Sequence, residues 1–401
     1  MHTLGLYVSI PFCKSKCTYC NFASGVFPAS YFDRYIGRLL EDLSAIRTQA
    51  PEWDAELPEI IDSLYLGGGT PSLLPSELVV RLFAAIRREF VVLPSAELTI
   101  ECAPGQLEDT TLSAMVEAGV NRISFGVQSF IDSEAKHTGR LHTREIALRD
   151  IDRVRRAGIP HINIDLIAGL PGQTHESWWE SLCVLADTGV EHASIYMLEV
   201  DEDSRLGREV TSGGLRYYAP QVPSDEAIAD MYSEAVELLA AHGLAQYEIS
   251  NFAREGRESA HNLKYWQRKP YVGLGLDAHS MLRTHFSEAL RFATTDELEP
   301  FLDSPGWNQP HRLSREEELE EAWFLGLRLN AGVSFRDLRA EFGASAVDSF
   351  EPILTDLECD GLITWTGDRV TLTPRGRLVS NEVFEQFLEV PQMANGSRRV
   401  A

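Results

Sequence analysis

Basic residues are scarce in this chain: 36 Lys and Arg stand against 60 Asp and Glu over 401 residues, a formal net charge of −24. That deficit repels a phosphate backbone and an anionic leaflet alike, so sequence-independent nucleic-acid binding and purely electrostatic membrane docking are excluded. Long apolar runs are missing too. The stretch from Leu78 to Leu93 is broken by Arg81, Arg87, Arg88 and Glu89, where a transmembrane helix takes ~18 or more apolar residues. The start, Met1-His2-Thr3-Leu4, lacks a basic segment leading into an apolar one, so no export leader is expected and a cytoplasmic location is the expectation. Cysteine is sparse, six residues in all, and forms no pattern of pairs that would staple a secreted domain.

Half of those cysteines fall in one short run, Pro11-Phe12-Cys13-Lys14-Ser15-Lys16-Cys17-Thr18-Tyr19-Cys20-Asn21-Phe22. Three thiolates on one loop can hold three corners of a [4Fe-4S] cube and leave the fourth iron open to a small ligand, whereas an electron-transfer cluster takes four. Structural zinc also takes four ligands, and Asn21 and Phe22 follow with no histidine close by. A disulfide would leave an odd thiol on a tight loop. Cys102, Cys183 and Cys359 stand singly in apolar segments and read as small buried hydrophobes.

From residue 4 to about 250, β-branched runs alternate with helical periodicity, the pattern of a parallel sheet covered by helices. Strands are expected at Leu6–Ile10, Ser63–Leu66, Glu97–Glu101, Arg122–Val127, Ile162–Ile167 and Ala193–Leu198, with another near Ala245–Ser250. Helices are expected at Ala29–Arg47, Ser76–Glu89, Glu108–Ala118, Thr143–Ala157, His175–Thr188 and Asp225–His242. These βα units predict an α/β fold, a partial (βα)6 barrel of the TIM type, over residues 1–285. In such a barrel the chemistry gathers at the C-terminal ends of the strands. That rim collects the cysteine loop, Gly67-Gly68-Gly69-Thr70-Pro71-Ser72, Glu101, Gln128, and Asp165 with Gly169-Leu170-Pro171-Gly172. A long loop, Val200 to Ser224, reads as a lid. Residues 286–401 form a small C-terminal helical, winged-helix-like domain: three helical stretches and a hairpin turned at Gly367-Asp368. The acidic run around Glu316–Glu321 makes it a poor reader of DNA.

The glycine run lets backbone N–H groups approach an anion, or else it is simply a tight strand-to-helix turn. An open cluster iron can be chelated by the amino and carboxylate groups of a methionine moiety. That is how S-adenosylmethionine is held and reductively cleaved, chemistry that belongs to the cofactor while the protein supplies position and electrostatics. Glu101, Gln128, Arg140 and Asp165 are rim or near-rim groups able to bind its ammonium, ribose hydroxyls and carboxylate.

With these residues in view, the chain resembles the radical S-adenosylmethionine proteins of the oxygen-independent coproporphyrinogen III oxidase (HemN-like) family. The resemblance spans about residues 4–385. It is carried by Ile10-Pro11-Phe12-Cys13, Cys17-Thr18-Tyr19-Cys20, Gly67–Ser72, Arg122-Ile123-Ser124-Phe125-Gly126-Val127-Gln128-Ser129-Phe130 and Asp165–Gly172. It implies a cluster on Cys13, Cys17 and Cys20, and a cofactor site lined by Tyr7, Tyr19, Gly68, Gly69, Thr70, Glu101, Gln128, Arg140 and Asp165. On the residues alone, Tyr7 reads as a core aromatic with its hydroxyl at the rim.

Two branches of the family compete. The decarboxylating oxidases carry a further cysteine two residues after the third cluster ligand, and here that position is Phe22. The heme-chaperone branch carries a His-Asn-x-x-Tyr-Trp motif associated with heme binding, matched by His261-Asn262-Leu263-Lys264-Tyr265-Trp266. An imidazole can ligate heme iron and the aromatics offer flat faces to a porphyrin, although such a segment is otherwise an aromatic-anchored loop. The resemblance therefore implies heme or another tetrapyrrole as ligand, heme-accepting proteins and an electron donor as partners, and His261 as a heme candidate. The alternative activity is propionate decarboxylation of coproporphyrinogen III. Two departures stand out: Ala103 where the family more often has asparagine, and Asp277 where glycine is commoner.

Overall fold

The computed structural model describes residues 3–304 and 306–388; Pro305 and 389–401, the end of the expected C-terminal domain, lie outside them. Six strands pair in parallel and in chain order: β1 (Leu4–Ile10), β2 (Ile60–Gly68), β3 (Val91–Cys102), β4 (Arg122–Gln128), β5 (His161–Ala168) and β6 (His192–Met197). On the β6 side the sheet continues antiparallel into β7 (Asn251–Ala253). On the β1 side, β8 (Tyr271–Leu274) joins in parallel, followed by the antiparallel β9 (His279–Thr284) and β10 (Ala289–Ala293). Among the described residues the two ends of this mixed sheet are not hydrogen-bonded to each other, so the barrel is open.

The strands are buried on both faces, yet they are not uniformly apolar. One parity, Leu6, Val8 and Ile10 on β1, Leu64 and Leu66 on β2, Ile100 on β3, Ile123 and Phe125 on β4, and Ile162 and Ile164 on β5, is apolar and buried. The other parity is polar: Tyr7 and Ser9; Ser63, Tyr65 and Gly67; Glu97, Thr99 and Glu101; Arg122 and Ser124; Asn163 and Asp165; His192 and Ser194. Successive side chains on a strand point to opposite faces, so the apolar set packs under the helices and the polar set lines the lumen. Lumen groups satisfy one another across the sheet. Asn163 donates to Ser124 (2.7 Å), Asp165 (2.6 Å) and Ser194 (3.1 Å), and its amide oxygen meets the His192 ring at 2.6 Å.

The covering helices begin where the sequence provides caps. Thr143 accepts from the Ile146 N–H ahead of Arg144–Arg156, and Thr174 and Ser177 form a reciprocal box ahead of His175–Asp187. The expected helices match the observed ones to within a few residues; the largest difference is the first, which runs on to Glu52.

Three expectations need correction. The strand expected near Ala245–Ser250 is two short antiparallel pieces, Ala245–Gln246 and β7. The 200–224 stretch is not a structureless lid: it holds a helix, Arg205–Ser212, and a 3-10 segment, Arg216–Gln221. The boundary expected at 285/286 falls inside the hairpin that pairs β9 with β10, and the first compact unit continues to Arg312. β8 escaped the sequence reading; it is only four residues long and carries a glycine, so it shows no strand periodicity. Its Gly273 is required by packing, since a Cβ there would lie 2.4 Å from the carbonyl oxygen of His279.

The second unit takes in Trp266–Arg268 and the chain from Leu313, where it opens with helix Arg315–Arg328, whose N-terminus is closed by a Ser314/Glu317 box. Three further helices, Phe335–Phe342, Ala344–Asp348 and Glu351–Cys359, lead into a three-stranded antiparallel sheet of Val333–Ser334, Ile363–Thr366 and Arg369–Leu372. Its core is centred on Trp323, fully buried, with ring centroids 5.4 Å from Phe335 and 5.4 Å from Phe387. No helix among the described residues is long and apolar enough to cross a membrane. Trp323→Ala should cost this unit about 3–5 kcal/mol, seen as an earlier denaturant-induced transition in the full-length chain.

Candidate functional site

The cysteine loop leaves β1 and is braced on its backbone. Cys13 N–H donates to Gly25 O (2.8 Å) and Gly25 N–H to Pro11 O (2.8 Å), which returns the loop onto its own root. Thr18 N–H donates to Thr138 O (3.0 Å), next to Gly139, where a Cβ would stand 3.7 Å from the Cys17 backbone. The 200–224 segment completes the frame: Leu206 N–H donates to Thr18 O (2.7 Å), Arg205 to Lys16 O, and Asn21 to the Asp201 carboxylate. Cys13 and Cys20 are half-buried and Cys17 is buried. Burial pushes the Cys13 thiol up, and the neighbouring Cys20 and Cys17 add to that. A thiolate at Cys13 would call for a cationic partner, as an iron cluster is. Among the described residues no three His, Cys, Asp or Glu side chains converge as a set that could hold a single metal ion.

The glycine run works differently from an open anion nest. Gly68 takes φ +102° and its N–H goes to Glu101, Gly69 N–H donates to Ile10 O (2.8 Å), and Thr70 N–H to Phe12 O (2.8 Å). The Gly69 and Thr70 donors are spent on clasping the end of β2 to the root of the cysteine loop, and the Gly68 donor on Glu101. A Cβ on Gly69 would stand 2.8 Å from the Phe12 carbonyl oxygen, so only glycine permits the clasp. Gly67 instead leaves room beside Tyr7, Tyr65 and Glu101, each 3.0–3.1 Å from where its Cβ would be.

At the ends of β3, β4 and β5 the lumen presents charged and orphaned groups. Glu101 accepts from Tyr65 (2.9 Å), and burial and the nearby Asp165 push its carboxyl up to about 7. Asp165 is also raised by burial, against the hydrogen bonds from Ser194, Asn163 and Ser124 that favour its charge. Burial works against the Arg140 charge, but Tyr19, Cys17 and Asp165 outweigh it and hold the guanidinium above its ordinary value. Gln128 sits in a left-handed conformation (φ 70°), next to a shift in the β4–β5 register. Its side-chain oxygen is buried without a partner, as is Arg140 Nε. Buried polar atoms of this kind cost about 1–3 kcal/mol each unless something satisfies them, and here they mark the outline of a polar ligand. Tyr7 and Tyr19 are both pushed up by burial, Tyr7 with Glu101 beside it and Tyr19 beside Arg140 and Cys17.

His261 lies elsewhere in the same lumen, on a short helix, Ala260–Trp266. Its ring is 1% exposed, with Nδ1 3.0 Å from Ser63 Oγ and Nε2 2.8 Å from the Tyr265 hydroxyl. Burial and the neighbouring Lys264 hold its pKa down to about 3. With both nitrogens engaged, the ring as folded offers no lone pair to a heme iron. Tyr65, which joins His261 to Glu101, escaped the sequence reading. The signal that would have found it is strand parity: Ser63, Tyr65 and Gly67 alternate with apolar residues. Of the cysteines outside the loop, Cys102 is buried, with its thiol pushed up to about 12 by that burial, whereas Cys183 is half-buried and Cys359 exposed, contrary to expectation. Asp277 adopts φ 54°, which explains why glycine is common there: the position is left-handed, and Asp is among the residues that tolerate it.

This constellation defines a radical S-adenosylmethionine protein: the model described as the Radical SAM superfamily matches residues 7–183, and the HemN C-terminal domain model matches 313–379. A solved coproporphyrinogen III oxidase (HemN) from Escherichia coli shares the fold at a TM-score of 0.81, with 23% identity over 96% of this chain and 90% of that one. The chain is 35% identical to the heme chaperone HemW of Bacillus subtilis (strain 168), over 95% of its own length and 98% of the relative's. It is 30% identical to the heme chaperone HemW of Escherichia coli (strain K12), over 96% and 98%. It belongs to the HemW family.

Because Glu101 is raised from 4.5 to about 7 in the folded protein, the native state holds a proton that the unfolded chain releases across that window. Its contribution to stability is therefore present at low pH and declines as pH rises through the window, by at most roughly 3 kcal/mol. Denaturant melts of the ligand-free protein at about pH 5 and about pH 7.5 should show that decline, and Glu101→Gln should flatten it.

Proposed function

We propose that this chain binds heme and passes it to acceptor proteins, with a [4Fe-4S] cluster on Cys13, Cys17 and Cys20 and S-adenosylmethionine at the adjoining rim. The observation that carries the reading is the near full-length likeness to heme chaperones, 35% identity over 95% of the chain. The rim residues fit the cofactor: Arg140 supplies a buried cation for a carboxylate, Glu101 and Asp165 supply acceptors for amino N–H and ribose hydroxyl donors, and Gln128 supplies an amide oxygen that lacks a partner. When bound, the cluster and S-adenosylmethionine together supply one-electron chemistry. An electron donor would then be a partner, and a reducing, cytoplasmic compartment would keep the loop thiols free.

Support for a flat apolar ligand comes from the segments that meet at the cluster loop. Phe22 (62% exposed) and Val26 (63%) lie on the loop or just after it, Leu141 (60%) follows Arg140, and Leu215 (81%) belongs to the bracing segment. Large apolar side chains this exposed, on segments tied to the cluster loop by hydrogen bonds, are the kind of residue a tetrapyrrole face would cover. The cysteine that the decarboxylating oxidases carry at the Phe22 position is missing, and that disfavours propionate decarboxylation.

Anaerobically reconstituted protein should retain heme and leave coproporphyrinogen III unchanged in the same preparation; turnover without heme retention would sink the reading. The double substitution Phe22→Ser with Leu215→Ser should weaken heme binding about tenfold while iron content stays that of the unsubstituted protein, as checked by absorbance titration and iron assay. With Glu101 ionised to accept from the ligand's amino N–H or ribose hydroxyls, S-adenosylmethionine affinity should rise as pH passes upward through about 7, and calorimetry in two buffers should detect the released proton.

A further inference from the structure

The histidine motif is held deep in the lumen by contacts that lead toward the rim. Glu97 accepts from Ser259 Oγ (3.2 Å), Ala260 N–H (3.1 Å) and His261 N–H (3.1 Å), fixing the start of the short helix. Lys264 pairs with Asp62 (2.7 Å) and occupies the space left by Gly5, where a Cβ would stand 2.7 Å from its side chain. So anchored, the His261 ring lies almost flat on Tyr65, with centroids 5.4 Å apart and planes at 28°. Ser63 and Tyr265 hold its two nitrogens and so fix its rotation. Tyr65 in turn donates to Glu101 Oε1 at 2.9 Å and lies 6.1 Å from Tyr7, stacked at 27°. A phenol has two side-chain torsions, and a flat neighbour on one face removes most of their freedom.

We propose that His261 is a positioning residue for the S-adenosylmethionine site, acting through Tyr65 on the Glu101 carboxylate, and that it is not a heme ligand. The inference rests on the cofactor part of the proposed function and is independent of where heme binds. In this arrangement the motif serves as a strut. The imidazole sets the plane of Tyr65, and Tyr65 holds Glu101 Oε1 in a hydrogen bond that acts together with the one from the Gly68 N–H to fix the carboxyl. Imidazole suits the place because it combines a flat face with two polar edges, matching Ser63 on one side and Tyr265 on the other.

The test is a double-mutant cycle on S-adenosylmethionine affinity, measured by equilibrium dialysis on cluster-loaded protein, with heme affinity and iron content measured in parallel. Tyr65→Phe and His261→Ala should each weaken S-adenosylmethionine binding about tenfold, and the double variant should be no weaker than either alone, the mark of two residues acting in series. His261→Phe, which keeps a flat ring but has no nitrogen, should recover most of the loss. Heme affinity should change less than about twofold in all four. Fully additive losses, or loss of heme affinity in both His261 variants with S-adenosylmethionine binding intact, would overturn the proposal. If His261→Ala does not fold, Tyr65→Phe and His261→Phe still decide it, since His261→Phe as damaging as Tyr65→Phe would also overturn it. Failure of the unsubstituted protein to bind S-adenosylmethionine would remove the cofactor reading and this proposal with it, whereas failure to bind heme would remove only the chaperone reading.

Discussion

The polar lumen is the constraint on which the rest of the molecule depends. A parallel sheet buried on both faces normally fills its interior with branched apolar side chains, and desolvating polar groups without partners is costly. Here the inward parity carries Ser63, Glu97, Arg122, Ser124, Asn163, Asp165, His192 and Ser194, so each strand must sit in a register that lets its polar groups meet their neighbours. A one-residue slip would turn that whole set against the helices and the apolar set into the lumen. Register is thus fixed twice, by the apolar face outside and by the hydrogen-bond lattice inside. Toward the rim the lattice runs out of internal partners, and Gln128 and Arg140 keep unmet atoms at the place where a ligand would supply them.

Much of this was legible in the chain. The six strands and their helices follow from apolar periodicity, and the rim residues follow from their place at strand ends. What periodicity could not convey was which N–H groups remain free once the chain has closed on itself. The Gly67–Gly69 run offers anion-binding donors when read in isolation, yet folding brings Ile10 and Phe12 carbonyls within reach of the Gly69 and Thr70 N–H groups. Partners 58 residues apart in sequence, 12 and 70, are invisible to any local pattern. The same holds for His261, whose partner Ser63 lies on β2 and whose stacking neighbour Tyr65 lies two residues further on.

The domain limit was missed for a different reason. Turn-forming residues around Ser287 mark a hairpin, and a hairpin joins strands as easily as it separates domains. β8 carries the sheet past the expected limit because it adds a parallel strand to the free edge of β1, after which β9 and β10 extend it. The radical S-adenosylmethionine unit of this family member is therefore a sheet lengthened beyond its six core strands, and the main body of the HemN-type C-terminal unit starts at Leu313.

The segment that braces the cysteine loop has a consequence for how the sequence can drift. Arg205 and Leu206 hold the loop through the carbonyl oxygens of Lys16 and Thr18, and Thr138 holds it through the Thr18 N–H. What these contacts register is the path of the main chain. Between the cysteines the Lys16 side chain also belongs to the frame, its ammonium donating to Phe22 O and Ser24 O at 2.9 Å each. The two parts answer to different demands: the loop to its cluster and to whatever docks on its outer side, and the 200–224 segment to the main-chain path it must hold and, through the exposed Leu215, to that same ligand.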